Sequence, residues 1–258
     1  MDSVLIKRDG AIATVTLNKP DRLNALDRGM WEALGEAMHA LSADDDLRCI
    51  VLRGAGGKAF AAGADIAEFA TERAESNQAS AYGALIHEAM QSVAHCKHPT
   101  LALIEGACVG GGLEIAAMCD MRICGTSSRF GVPINRLGLT MAYGELQGLL
   151  ALVGRAVALE ILLEGRVFGA DEAFAKRLVN RVVPDSDVER EAYATAERIA
   201  AGAPLVARWH KQFIDRLTVR AELTPQEWSV GFACFDTEDY KEGVAAFLGK
   251  RKPQFKAK

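Results

Sequence analysis

Ala107-Cys108-Val109-Gly110-Gly111-Gly112-Leu113-Glu114-Ile115-Ala116-Ala117-Met118-Cys119-Asp120 is the stretch on which the fold turns. The apolar run from Thr100 to Ile104 comes before it and reads as a strand. After three consecutive glycines the pattern becomes that of a short helix. Glycines at such a junction let backbone N–H groups approach a ligand with no side chain between them. Glu114 stands two residues beyond the last glycine, a carboxylate in an otherwise apolar helix. Exposed donors beside a buried acid suit proton transfer next to a developing oxyanion. The same residues also describe a glycine-rich turn with an incidental glutamate, and the motif by itself leaves both readings open.

On either side, apolar strands alternate with amphipathic helices. Val4 to Arg8 and Ala11 to Leu17 flank Asp9-Gly10, a hairpin signal. A helix from about Asp27 to Leu41 carries Met30, Leu34, Met38 and Leu41 at helical spacing. Arg48 to Arg53 reads as a strand buried on both faces. A second long helix, about Gln78 to Cys96, ends before Pro99, because the residue preceding a proline is pushed out of the helical region. Asp120 to Cys124 reads as a strand, Phe130 to Pro133 as the entry to a loop. Two helices, Tyr143 to Leu152 and Arg155 to Glu164, come next, then a helical turn and the strand Leu178 to Val183. Strand–helix alternation with short links predicts right-handed α/β crossovers and a mainly parallel sheet. From Asp187 onward the sequence reads as helices only, with Thr224-Pro225-Gln226-Glu227 as a capping box. The expected division is an α/β core over 1–186 and a helical region over 187–258, whose Trp209, Phe213, Trp228, Phe232 and Phe235 call for a partner surface.

Composition excludes several function classes. The chain has 258 residues, 50% hydrophobic and 25% charged, with a net charge of -4, so no basic field points to nucleic acid. Met1-Asp2-Ser3-Val4 lacks the look of a signal peptide, and no stretch reads as a membrane span. The six cysteines, Cys49, Cys96, Cys108, Cys119, Cys124 and Cys234, include no Cys-x-x-Cys pair. Free thiols in a reducing compartment, and so a cytoplasmic protein, are the expectation. His95, Cys96 and His98 straddle a helix end without a second ligand pair, so a helix C-cap is favoured over a metal site. No phosphate-loop pattern and no Gly-x-Ser-x-Gly elbow occurs.

Several motifs in order resemble one family. Phe60-Ala61-Ala62-Gly63-Ala64-Asp65-Ile66 is similar to the first signature of the crotonase superfamily, the enoyl-CoA hydratase/isomerase family. Gly110-Gly111-Gly112-Leu113-Glu114 with Met118-Cys119-Asp120 is similar to the second. Phe130-Gly131, Leu137-Gly138, Gly165-Arg166, Leu178 to Pro184 and the tail from Phe235 to Pro253 fall where that family has similar residues. The resemblance implies an α/β spiral of strand–strand–helix turns and a helical C-terminal trimerisation region, with trimers that can pair as hexamers. It implies an acyl-CoA thioester substrate and no cofactor beyond its coenzyme A. The thioester oxygen would sit on the N–H groups of Ala64 and Gly111, with Glu114 as acid/base. Acyl-CoA contacts would come from Ala25, Ala62, Asp65, Ile66, Gly110 and Ile134, with Phe247 and Lys250 near the nucleotide. Asp65 and Asp120 also read as structural carboxylates bonding loop amides.

One departure from the family stands out. Its hydratases place a second glutamate directly after the proline of a Phe-Gly-x-Pro-Glu segment, and here that segment is Phe130-Gly131-Val132-Pro133-Ile134. Isoleucine cannot hold a proton, so simple hydration is in question, and enolate proton transfer, C–C cleavage or decarboxylation stand beside it. Glu145 is the one nearby carboxylate that could take the missing role. It also reads as a helix-start glutamate favoured by the helix dipole. A non-catalytic acyl-CoA or RNA-binding protein, with the basic tail Lys250 to Lys256 as contact, is the alternative from another class.

Overall fold

A computed structural model describes residues 2–72, 74–218 and 221–258. Val4–Asp9 (β1) and Ile12–Leu17 (β2) form the hairpin, paired antiparallel from Val4↔Leu17 to Asp9↔Ile12. Ala13, Val15 and Leu17 point inward and are buried, as the alternation of β2 requires. Arg28–Ala43 (α1) starts at Asp27, whose carboxylate accepts from the Met30 N–H at 2.9 Å. Cys49–Gly54 (β3), Ala59–Ala61 (β4), Phe69–Glu72 (α2) and Ser76–Ala94 (α3) follow. Thr100–Ile104 (β5), Ala107–Val109 (β6) and Gly111–Met118 (α4) repeat the strand–strand–helix unit. Met121–Gly125 (β7), Arg129–Gly131 (β8) and Tyr143–Glu164 (α5) repeat it again. Phe168–Gly169 (β9), Ala170–Ala175 (α6) and Arg181–Val183 (β10) close the core. Val188–Ala200 (α7), Pro204–Thr218 (α8), Pro225–Val230 (α9) and Glu238–Leu248 (α10) complete the chain.

The strands build two sheets, and the first of each pair goes to one sheet while the second goes to the other. The larger runs β1-β2-β3-β5-β7-β10 and is parallel beyond the hairpin. The smaller runs β4-β6-β8-β9, parallel except for its last pair. The sequence reading missed this smaller sheet. It placed Phe130 and Gly131 in a loop and ran the Thr100 strand straight into the glycines. Strands of two or three residues are too short to show a period, which explains the miss.

The continuous apolar runs of β3 and β5 reflect burial on both faces. Ile50, Leu52, Ala102 and Ile104 join the main core with α1, α3 and α4. Cys49, Val51, Leu101 and Leu103 face Val188, Ala192 and Ala196 of α7. The Thr14 and Tyr193 hydroxyls, 2.8 Å apart, pin α7 to the sheet. The capping box is formed: Thr224 Oγ1 accepts from the Glu227 N–H at 3.2 Å and Glu227 returns the bond at 2.7 Å. One sequence expectation needs correcting, since α5 is long and apolar enough to pass for a membrane span. Non-helical Gly154 (φ 71°, ψ 172°) splits it into 143–153 and 155–164. Each part is about half of the roughly 20 residues a span needs.

His98 lies between α3 and β5 and is 0% exposed, and neither ring nitrogen has a well-formed hydrogen bond among the described residues. Burial pushes its pKa down to about 4, helped by Arg208 and Lys97 and opposed by Asp44. The unfolded chain therefore takes up a proton between about pH 6.5 and 4 that the folded chain does not. The stability this neutral imidazole allows is complete above that window and is lost as pH falls through it. His98→Leu should leave the Tm at pH 7 within about 4 °C of wild type. It should also flatten the fall in Tm between pH 6.5 and 4. Thermal melts across that range check this, and an unchanged slope would exclude His98 as the source.

Candidate active site

Gly110 makes the turn out of β6 with φ +53° and ψ −124°, a region that residues with a Cβ avoid. Its N–H donates to Gly131 O at 2.9 Å, and its carbonyl accepts from Glu114 N at 3.0 Å to open α4. All eight residues of α4 are buried. As the first helical residue, Gly111 has no preceding turn to accept its N–H, and the helix dipole adds positive potential there. Gly112 lies against β4 so closely that a Cβ would sit 2.3 Å from Ala61 O.

The facing wall comes from the segment after β4. Leu26 N donates to Gly63 O and Asp65 N donates to Leu26 O, both at 2.8 Å. Leu26 and Ala64 form a parallel bridge in which Leu26 bonds only the residues on either side of Ala64, so the Ala64 N–H is not taken up by Leu26. Ala64 lines the same cavity as Gly111. The two walls touch: a Cβ on Gly63 would lie 3.2 Å from Val109 O and 3.8 Å from Gly111 N.

That cavity, of about 150 Å³, brings together most of the sequence's candidates. Ala62, Ala64 and Ile66 line one side, Gly110, Gly111 and Glu114 another, and Ile134 with Glu145 a third. Glu114 is 8% exposed, in the first turn of α4. Glu145 is half-buried near the start of α5, where its Oε2 accepts from the Ala142 N–H at 2.7 Å. Helix-start glutamate and cavity wall are thus the same side chain. Ile134 packs against the main core from the short helix that follows β8.

Four candidates do not line the cavity. Ala25 sits in the turn before α1, its N–H donating to Arg22 O at 3.0 Å. Asp65 accepts from the Ala67 N–H at 3.1 Å and from Arg22 at 2.7 Å, a loop-bracing role. Phe247, near the end of α10, is 84% exposed and lines a separate surface groove with Tyr240 and Phe255. Lys250 follows it, its N–H donating to Phe247 O at 3.2 Å. Asp120 ties Thr100 N at 2.7 Å and Lys211 at 2.8 Å, so it too braces the fold. The segment 68–77 is mostly helical, with residue 73 outside the described residues.

Two residues went unread in the sequence. Arg122 is buried and donates to Ala116 O at 3.1 Å and Cys119 O at 2.5 Å, placing a cation at the C-terminal end of α4. It anchors the helix whose other end carries Gly111, and only its place two residues after Asp120 signals it. Trp31, on the buried stripe of α1, also lines the cavity. No cysteine lines the cavity, and burial pushes the Cys49, Cys119 and Cys124 thiols up to about 12. Among the described residues, no group of three or more His, Cys, Asp or Glu side chains is placed to hold a metal ion.

Residues 7–258 match the sequence profile of the enoyl-CoA hydratase/isomerase family. A protein named probable enoyl-CoA hydratase from Mycobacterium tuberculosis is 37% identical over 256 residues, 98% of each chain. A short-chain-enoyl-CoA hydratase from Clostridium acetobutylicum is 33% identical over 98% of this chain and 97% of its own. Among solved structures, an enoyl-CoA hydratase/carnithine racemase from Magnetospirillum magneticum superposes with a TM-score of 0.98 at 54% identity, covering 100% and 97% of the two chains. With that profile spanning nearly the whole chain and these relatives matching it end to end, the chain belongs to the enoyl-CoA hydratase/isomerase family, the crotonase superfamily.

Proposed function

We propose that the chain hydrates a short 2-enoyl-CoA through a thioester enolate, with Glu114 and Glu145 dividing the proton work. The observation that carries this reading is that both carboxylates line one cavity with Ala64 and Gly111. The thioester oxygen accepts from the Ala64 and Gly111 N–H groups, which hold the negative charge as the C2–C3 π bond is attacked. One carboxylate takes a proton from water as the water oxygen bonds to C3. The other, protonated, delivers a proton to C2 as the enolate collapses to the thioester. Water's O–H and the substrate's π bond break, C–O and C–H bonds form, and the two carboxyls end with their protonation exchanged. No cofactor beyond the substrate's coenzyme A takes part.

Ile134 favours a second reading. With an apolar wall at that position, Glu114 alone would move a proton at C2, as in enolate proton transfer, C–C cleavage or decarboxylation. Glu145→Gln separates the two. On the first reading, kcat for crotonyl-CoA hydration falls about a hundredfold with KM little changed. Ile134→Glu in the Glu145→Gln background should return part of that rate. Hydration that is undiminished in Glu145→Gln removes Glu145 from the mechanism, and CoA-thioester binding without turnover makes the chain a binding protein.

We also infer a homotrimer or a dimer of trimers, in keeping with the apolar side chains left exposed toward the C-terminus. Trp228, Phe232, Phe235 and Phe247 are each more than half exposed in the single chain. A cytoplasmic location is the reading supported by the free thiols.

A further inference from the structure

The apolar residues around the cavity fall into two sets by exposure. Ile66, Leu137 and Leu139 are exposed and form its mouth, while Trp31 and Ile86 are 1% and 3% exposed and stand at its depth. Trp31 comes from α1 and Ile86 from α3, and these helices pack with little room to shift. A Cβ on Gly35 of α1 would lie 3.6 Å from Ala89 Cα of α3. The benzo edge of Trp31 also reaches the glycine turn, since a Cβ on Gly111 would lie 3.2 Å from Cζ2 and 3.6 Å from Cη2. Volume sets the scale. The cavity measures about 150 Å³, and an apolar cavity of that size takes a benzene-sized group, room for roughly four to six acyl carbons.

We propose that Trp31 and Ile86 are the end wall of an acyl pocket and decide the chain length the protein accepts. The inference rests on reading the cavity as an acyl-CoA site and adds the residues that set its limit. A methylene entering apolar surroundings tightens binding about fourfold, whereas one that meets a packed wall gains nothing or must displace side chains. Affinity therefore climbs with chain length until the wall is reached, and then stops. Trp31 is the larger determinant, because exchanging its indole for an isobutyl group withdraws a whole ring from the wall.

Calorimetric titration with butyryl-, hexanoyl-, octanoyl- and decanoyl-CoA, which have no double bond to hydrate, tests this. In the wild type hexanoyl-CoA should bind about tenfold tighter than butyryl-CoA, with no further gain at octanoyl-CoA. Trp31→Leu should carry the rise on, so that octanoyl-CoA binds about tenfold tighter than hexanoyl-CoA. Ile86→Ala opens the same wall from α3 and should move the limit in the same direction; should Trp31→Leu fail to fold, this variant decides. Leu34 is 0% exposed on α1 and does not line the cavity, so Leu34→Ala should lower the Tm and leave the limit in place. Affinity that climbs unbroken to decanoyl-CoA in the wild type overturns the inference. So does a limit unmoved in the folded wall variants, or one moved equally by Leu34→Ala. A limit that moves with Trp31→Leu in a protein that does not hydrate crotonyl-CoA supports the inference and overturns the hydration reading alone. Binding of none of the four overturns the acyl-CoA reading of the cavity, and the end wall with it.

Discussion

Glu114→Gln lowers kcat for 2-enoyl-CoA hydration about a thousandfold, within the range that a positioned acid/base contributes. The substitution keeps shape and hydrogen-bonding capacity but removes the ability to hold and release a proton. Its size follows from location: Glu114 is 8% exposed in the first turn of a buried helix, so bulk water cannot readily stand in. In rate terms a thousandfold is about 4 kcal/mol of transition-state stabilisation. On the proposed mechanism KM should change little, because the Ala64 and Gly111 N–H groups would still hold the thioester oxygen of the bound substrate. Circular dichroism and thermal melts should show the variant folded. A fall of less than tenfold in a folded variant would mean that Glu114 does not move the proton, and Glu145 would then be the principal acid/base.

The paired carboxylates illustrate what could be read in advance. Glu114 was legible as a buried helix-start acid, with three glycines and the carboxylate within five residues, while its role stayed open on the motif alone. Ile134 was legible as a departure, since one side chain replaces another in an otherwise matching segment. Glu145 was only half legible. Its sequence context describes a helix start, which it is, its carboxylate accepting from Ala142 N at 2.7 Å. That the same residue lines the cavity follows from how α5 packs on α4, a contact set by tertiary geometry.

The longer elements followed the same division. The apolar runs of β3 and β5 announced strands buried on both faces, and the packing of one face on α7 fulfils this. The four strands of the smaller sheet, of two or three residues each, left no periodic trace. Trp31 was hidden for another reason. On a helix stripe beside Met30 and Leu34 it reads as core, and core it is; its place in the cavity wall becomes visible only when its neighbours are placed.

Gly112→Ala should overlap backbone more severely than a methyl at Gly110 or Gly111. The added Cβ would lie 2.3 Å from Ala61 O and 2.9 Å from both the carbonyl carbon and the Cβ of Ala61. The first two are backbone atoms of a strand in a sheet, so no side-chain rotation relieves the overlap. β4 and α4 must move apart, at about 2–3 kcal/mol for overpacking of this kind. The donors stand on opposite sides of that contact: Gly111 immediately precedes Gly112, and Ala64 follows Ala61 by three residues. On the proposed mechanism, separating the walls would spoil the pair of N–H groups meant for the thioester oxygen, and kcat should drop about a hundredfold, as loss of an oxyanion donor does. Gly83→Ala supplies the contrast. Gly83 lies within α3, and a Cβ there would meet no atom within 4 Å, so the same methyl should stabilise by about 0.5–1 kcal/mol and leave kcat alone. Thermal melts and crotonyl-CoA kinetics on the two variants decide the matter. Gly112→Ala protein with kcat within threefold of wild type would show that the glycine turn is not where the thioester oxygen is held.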